Sequence, residues 1–75
     1  MDAAQFIDQL KEVLEMEDEE LTLDTEFRSL ELWDSLAYLS TIAMIDDEYG
    51  VIVSAAEFNT LKTVGDIAKA IEAKL

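Results

Sequence analysis

The residue with the clearest chemical potential in this chain is Ser35, which follows Asp34 and opens an apolar stretch at Leu36. A serine hydroxyl is a weak nucleophile until a neighbouring base activates it. The chain contains no His and no Cys, so it offers neither a Ser–His nor a Cys–His pair. Any chemistry at Ser35 must therefore be performed by another protein. The ordinary alternative is that Asp34 and Ser35 only cap a helix.

The composition is that of one small, acidic, folded domain. Of its 75 residues 51% are hydrophobic, which is enough for a core and argues against disorder. The formal net charge of −13 repels nucleic acid and anionic membranes and attracts partners with basic surface patches. No signal peptide and no apolar stretch of membrane-spanning length is visible. We expect a single monomeric domain over residues 1–75, working in the cytoplasm.

Two acidic runs, at 17–20 and 46–48, are the only candidates for a metal site. Neither has the alternating ligands and central Gly of an EF-hand loop, and the chain has no thiolate or imidazole ligand. The sequence therefore predicts no dedicated metal site. The acidic side chains at 17–20 would be repelled by the negative, C-terminal end of a helix dipole. This run is therefore expected to mark the end of the first helix.

The first half of the chain predicts one amphipathic helix and then a long loop. Asp2 and Gln5 have the spacing of a capping box. Phe6 begins a helical repeat of apolar residues that continues to about Met16. Residues 17–33 show no sustained period, so their apolar members are expected to pin the loop across the helices. These members are Leu21, Leu23, Phe27 and Leu30. A short helical turn is expected around the last two.

The second helix is predicted from Asp34, as its cap, to Tyr49, with Gly50 just beyond its end. Because successive residues of a helix are rotated by about 100°, five residues fall on one arc, which is predicted to face the core: Tyr38, Leu39, Ile42, Ile45 and Tyr49. The opposite arc is unusually apolar for a surface: Leu36, Ala37, Ser40, Ala43, Met44 and Asp47. That arc is either part of a wide core stripe beside a solvated acidic helix end, or a surface on which a partner docks.

Two further helices complete the predicted fold. Residues 51–53 form a brief apolar run that is too isolated for a sheet. Ser54 opens a short helix through Phe58, and Thr63 opens a last helix to the C-terminus. Each of these two caps has an acid three residues later, as in a capping box. The predicted class is all-α: a small bundle of three main helices plus one short helix, with a long loop between the first and second helices.

Asp34-Ser35-Leu36, opening a helix that ends in Asp-Asp-Glu-Tyr-Gly-Val at 46–51, resembles the acyl carrier protein family. The resemblance covers nearly the whole chain. It implies that Ser35 is esterified by 4′-phosphopantetheine, donated from coenzyme A by a phosphopantetheinyl transferase, with Asp34 and Leu36 flanking the site. The thiol of that group would carry acyl groups for acyl-transferring, condensing or ligase enzymes. The chain would then be a carrier and not an enzyme.

The resemblance also implies where partners dock, because the family uses the helix that starts at the serine. Carried onto this sequence, the docking residues are Asp34, Leu36, Leu39, Ser40, Ala43, Asp46 and Asp47. Met44 joins them from the helix face described above. Both arguments place the docking surface on the same helix.

The sequence departs from the family pattern at several positions. Leu32 stands where Gly is common, Ser40 where many members have Glu, and Ser54 where many have Pro. Trp33 is expected to anchor the loop; the alternative is that it contacts a partner. These departures favour a specialised stand-alone carrier over a housekeeping fatty-acid carrier.

The sequence does not distinguish between fatty-acid, polyketide-type and aminoacyl or peptidyl cargo. The strong acidity nevertheless favours acyl over peptidyl cargo. A protein of a different class, an unmodified acidic adaptor, would bind basic partners through the helix at 35–49. An enzyme has almost no support, because no activated nucleophile or acid–base pair is evident.

Overall fold

A computed structural model describes residues 2–16 and 20–75, and in this part of the chain the regular structure is entirely helical. The elements in order are α1 (Ala3–Leu14), a 3-10 turn (Phe27–Ser29), α2 (Ser35–Tyr49), α3 (Ala55–Phe58) and α4 (Val64–Lys74). Helix α1 packs against both α2 and α4. The predicted all-α bundle of three main helices and one short helix is confirmed.

Helix α1 begins and ends close to its predicted limits. The Asp2 carboxylate accepts a hydrogen bond from the Ala4 amide at 3.0 Å, which caps the helix without the reciprocal bond predicted for Gln5. The helix ends at Leu14, two residues earlier than predicted, because Glu15 adopts the left-handed conformation with φ of 57°. The acids at 17–19, which were expected to mark the helix end, lie outside the described residues.

The core is formed where one face of α1 and one face of α4 meet side chains from α2, α3 and the long loop. Its fully buried apolar residues are Phe6, Leu10, Phe27, Ile45, Phe58, Val64, Ile67 and Ile71. Burying a large apolar side chain contributes about 1.5–3 kcal/mol, so this set supplies most of the driving force for folding. One of these residues, Phe27, comes from the loop, which is therefore part of the folded unit.

The long loop is held by backbone groups as well as by apolar side chains. Leu21 and Phe27 are buried and Leu30 is half-buried, as predicted. The prediction for Leu23 is wrong, because its side chain is 39% exposed. Its carbonyl oxygen instead accepts the Gly65 amide at 2.8 Å, and the Thr25 carbonyl oxygen accepts the Val64 amide at 2.9 Å. The loop thus satisfies two of the free amides at the start of α4.

The two closing helices begin at the predicted caps. Ser54 Oγ accepts the Glu57 amide at 3.2 Å, while the Glu57 carboxylate pairs with Lys74 at 3.1 Å on the side of α4. The reciprocal bond of the capping box predicted for Ser54 is thus not formed. At α4 the predicted box is complete: Thr63 Oγ1 accepts the Asp66 amide, and Asp66 Oδ2 accepts the Thr63 amide.

Candidate functional site

Ser35 is the first residue of α2, and its side chain is exposed. Asp34 caps the helix: its Oδ1 accepts the Ala37 amide at 2.8 Å, and its carbonyl oxygen accepts the Tyr38 amide at 3.0 Å. Within the described part of the chain, the hydroxyl and amide of Ser35 and the amide of Leu36 make no hydrogen bond. With respect to the described residues, the serine therefore presents an unpaired hydroxyl beside two unpaired helix amides.

Within residues 2–16 and 20–75, no activating base forms a hydrogen bond with the Ser35 hydroxyl. The neighbouring carboxylate of Asp34 is engaged in the helix cap, and the chain has no His or Cys. A serine in this setting remains a weak nucleophile. Among the described residues, the hydroxyl of Ser35 therefore has no partner that would increase its reactivity.

Aromatic side chains from the long loop, α2 and α3 form one cluster, and its member Trp33 stands two residues before Ser35. The Trp33 ring meets the Phe27 ring edge-on, with centroids 4.8 Å apart, and stacks on the Phe58 ring at 6.0 Å with only 6° between the planes. Tyr38, one turn into α2, meets the same Phe58 ring edge-on at 5.1 Å. Such contacts add to the stability that burial alone gives. The structure thus places Trp33 as an anchor of the loop, as predicted.

The far end of α2 is tied to α1. Tyr49 packs edge-on against Phe6, with ring centroids 6.2 Å apart, and its hydroxyl donates to Oε1 of Gln9. Nε2 of Gln9 in turn donates to the Glu48 carboxylate at 3.1 Å. Burial raises the pKa of Tyr49 above its ordinary value, and the nearby carboxylates of Glu48 and Asp2 raise it further. Tyr49 is therefore a packed residue of the core side, as predicted.

The exposed face of α2 differs from the predicted one at two positions. Leu36 is 71% exposed and Leu39 is 59% exposed, so Leu39 belongs to the surface and its placement in the core arc is wrong. Met44 is only 8% exposed, so its placement on the exposed arc is wrong as well. The reason is that α2 packs on α1, and Met44 joins the buried cluster with Ile45.

The remaining predicted docking residues lie at the surface. Ala43, Asp46 and Asp47 are exposed, and Ser40 is half-buried. An open groove of about 780 Å³ runs beside them between α2 and α1, where Gln9 forms part of the far wall. The surface therefore combines apolar side chains near Ser35 with carboxylates about two to three turns further along α2.

One buried residue of α2 was missed by the sequence analysis. Thr41 is fully buried, and its hydroxyl donates to the Ala37 carbonyl oxygen at 2.8 Å. This bond within the helix satisfies the only polar group of the side chain, which makes burial tolerable. The sequence offered little indication that Thr41 is buried, because threonine is a polar residue type.

No described helix has both the length and the apolar character required to cross a membrane. Comparisons with known proteins concern the family and the fold of the chain. A model of the family described as "phosphopantetheine attachment site" matches residues 4–71, which is nearly the whole chain. The fold is similar to the solution NMR structure of a holo acyl carrier protein from Geobacter metallireducens. The TM-score is 0.83 at 25% sequence identity, and the match covers 96% of this chain and 83% of that one.

The family match and the shared fold point to the same kind of molecule. Both matches cover nearly the whole length of this chain. The chain belongs to the phosphopantetheine attachment-site family: it is a carrier of the acyl carrier protein type, it works through a covalently attached phosphopantetheine, and it is not a catalyst.

Proposed function

We propose that Ser35 is the attachment residue and that the chain carries acyl intermediates of fatty-acid or polyketide-type biosynthesis to partner enzymes. The observation that carries this proposal is the exposed hydroxyl of Ser35 at the start of α2, which makes no hydrogen bond to any residue that the structure describes. Ser54 is a poorer candidate because its hydroxyl caps α3. The family match to residues 4–71 supports a single carrier domain over residues 1–75.

The residues around Ser35 fit a phosphopantetheine ester. The amides of Ser35 and Leu36 make no hydrogen bond within the described residues and lie at the positive end of a 15-residue helix. This is the environment that an attached phosphate prefers. The cap bond from Ala37 to Asp34 holds the first turn in place, so the serine is presented on an ordered helix end.

Attachment requires Ser35 Oγ to form a bond to the phosphorus next to the pantetheine arm of coenzyme A. The phosphoanhydride bond breaks, and adenosine 3′,5′-bisphosphate leaves with the electron pair. The proton of the hydroxyl must pass to a base of the transferase, because this chain has no His or Cys near the serine. Once attached, the group supplies the thiol that holds acyl groups as thioesters.

Partner enzymes are proposed to dock on the exposed face of α2. Leu36 and Leu39 supply apolar contact area, and Asp46 and Asp47 supply negative charge. Apolar residues at the centre of an interface give most of the affinity, whereas charges steer the encounter. Partners of this surface, the phosphopantetheinyl transferase among them, should therefore have an apolar pocket bordered by basic residues. The net charge of −13 favours acyl cargo over aminoacyl or peptidyl cargo.

The proposal is tested by modifying the apo protein. It is incubated with coenzyme A and a broad-specificity phosphopantetheinyl transferase, and its intact mass is then measured. We expect a gain of one phosphopantetheine group in the wild type and in the controls Ser29→Ala and Ser54→Ala, and no gain in Ser35→Ala. An unchanged wild-type mass, or a gain that persists in Ser35→Ala, would contradict the proposal.

A further inference from the structure

We propose that Trp33 is a positioning residue for the modification of Ser35. This inference rests on the proposed function, because it concerns the reaction that attaches phosphopantetheine. Two aromatic side chains flank the serine along the chain, Trp33 before it and Tyr38 after it. Both rings pack on one ring of α3, that of Phe58.

The backbone at Ser35 is fixed from both directions. On the loop side, the Trp33 ring contacts Phe27 at 4.8 Å and Phe58 at 6.0 Å, and the Trp33 amide donates to the Leu30 carbonyl oxygen at 3.0 Å. On the helix side, Asp34 holds the Ala37 amide at 2.8 Å. Only Asp34 separates the Trp33 anchor from Ser35, so little backbone freedom remains between them.

The ring on which Trp33 stacks is itself firmly held. Phe58 is fully buried, and its carbonyl oxygen accepts a 2.7 Å hydrogen bond from Nη2 of Arg28. Nε of Arg28 also donates to the Leu61 carbonyl oxygen at 3.0 Å. The guanidinium carbon lies 5.1 Å and 5.7 Å from the ring centroids of Phe27 and Phe58. The four-residue helix α3 is too short to be stable by itself, and these contacts fix it as a platform.

This arrangement should act on the rate of transfer and not on the binding of the transferase. The attack on phosphorus requires the serine oxygen to be held close to its line of approach, and loss of that order slows the chemical step. The proposed docking residues Leu36, Leu39 and Asp47 lie on α2, whereas Trp33 lies on the loop before it. Removing the indole therefore disorders the nucleophile in the first turn of α2, whereas the docking residues Leu39 and Asp47 lie beyond that turn and stay in place.

The test compares Trp33→Ala, Trp33→Phe and the control Ile71→Val in steady-state kinetics of a phosphopantetheinyl transferase. Ile71 is a fully buried residue of α4 outside the aromatic cluster, so its truncation reports the effect of lost core packing. Rates are measured at a temperature at which circular dichroism shows all variants folded. Should Trp33→Ala not fold, Trp33→Leu takes its place, since it keeps apolar bulk without a stacking ring.

We expect Trp33→Ala to lower kcat at least about fivefold while KM changes less than about twofold. Trp33→Phe should recover most of kcat, and Ile71→Val should match the wild type. A second readout is independent of the transferase: in Trp33→Ala the amide of Ala37 should exchange hydrogen faster, while amides in the middle of α2 remain protected.

Two results would overturn the inference. An unchanged kcat with a raised KM would show that Trp33 contacts the transferase or only sets the folded fraction. Equal kinetics for all variants would show that Ser35 needs no help from the aromatic cluster. Failure of the proposed function is distinguishable, because the wild type would then gain no mass or Ser35→Ala would still gain it.

Discussion

The amide of Gly65 donates a 2.8 Å hydrogen bond to the carbonyl oxygen of Leu23, which brings the backbone of the long loop against the first turn of α4. A Cβ atom at position 65 would lie 3.0 Å from that carbonyl oxygen. The neighbouring bond from Val64 to Thr25 has a length of 2.9 Å. The order of the loop that leads to Ser35 therefore depends partly on the absence of a side chain in α4.

We expect Gly65→Ala to destabilise the protein by about 1–3 kcal/mol. In an ordinary helix the same change would stabilise by roughly 0.5–1 kcal/mol, so the close contact reverses the sign. Chemical denaturation measures the free energy of unfolding, and Lys69→Ala at an exposed position of α4 serves as a control expected to be near neutral. A stabilised Gly65→Ala variant would mean that the loop moves away freely.

Asp66 should contribute stability that depends on pH. The backbone amides of Lys62 and Thr63 donate to its carboxylate at 3.1 Å and 3.2 Å, and they hold its pKa below the ordinary value. A carboxyl with a lowered pKa in the folded state stabilises the protein above its unfolded pKa of about 3.9. That stabilisation is lost as the pH falls through the folded-state pKa.

We therefore expect Asp66→Asn to lower the thermal unfolding midpoint at about pH 7, and the difference from the wild type to shrink as the pH falls below about 4. The matched control is Thr63→Val, which removes the other half of the capping box. Its hydroxyl does not titrate in this range, so its cost should persist at low pH. A difference for Asp66→Asn that does not change with pH would contradict the assignment.

Leu39 and Met44 should separate binding from stability. Met44→Ala empties part of the core and should lower the free energy of unfolding by about 2–5 kcal/mol. Leu39→Ala removes an exposed side chain and should change it by less than about 0.5 kcal/mol, while weakening the binding of a partner enzyme. Denaturation and surface plasmon resonance measure the two effects. A large loss of stability in Leu39→Ala together with a small one in Met44→Ala would mean that Leu39, and not Met44, is the buried residue of α2.

Asp47→Lys should weaken partner binding and reduce the dependence of the affinity on salt concentration, because it removes a carboxylate of the proposed docking surface. Asp24→Lys changes the net charge equally but lies in the loop beside α4, away from the docking surface. We expect a clearly smaller effect from this control. Equal effects of the two variants in a salt titration would indicate a response to net charge alone and would remove Asp47 from the interface.

Much of the chemistry and local structure followed from the sequence. The absence of His and Cys excluded a Ser–His or Cys–His pair. The caps Asp34, Ser54 and Thr63 marked the helix starts correctly, because capping is a local interaction between a side chain and amides two or three residues away. The order and class of the elements could therefore be predicted without knowledge of the packing.

The tertiary structure alone decided which way α2 faces. Apolar residues occur almost all round this helix, so its periodicity could not choose between Leu39 and Met44 as the buried one. Packing on α1 made that choice. The same holds for Leu23, where the backbone and not the side chain makes the contact, and for the meeting of Trp33 and Tyr38 on Phe58. These contacts join residues distant in sequence, whereas caps and periodicity describe only neighbours along the chain.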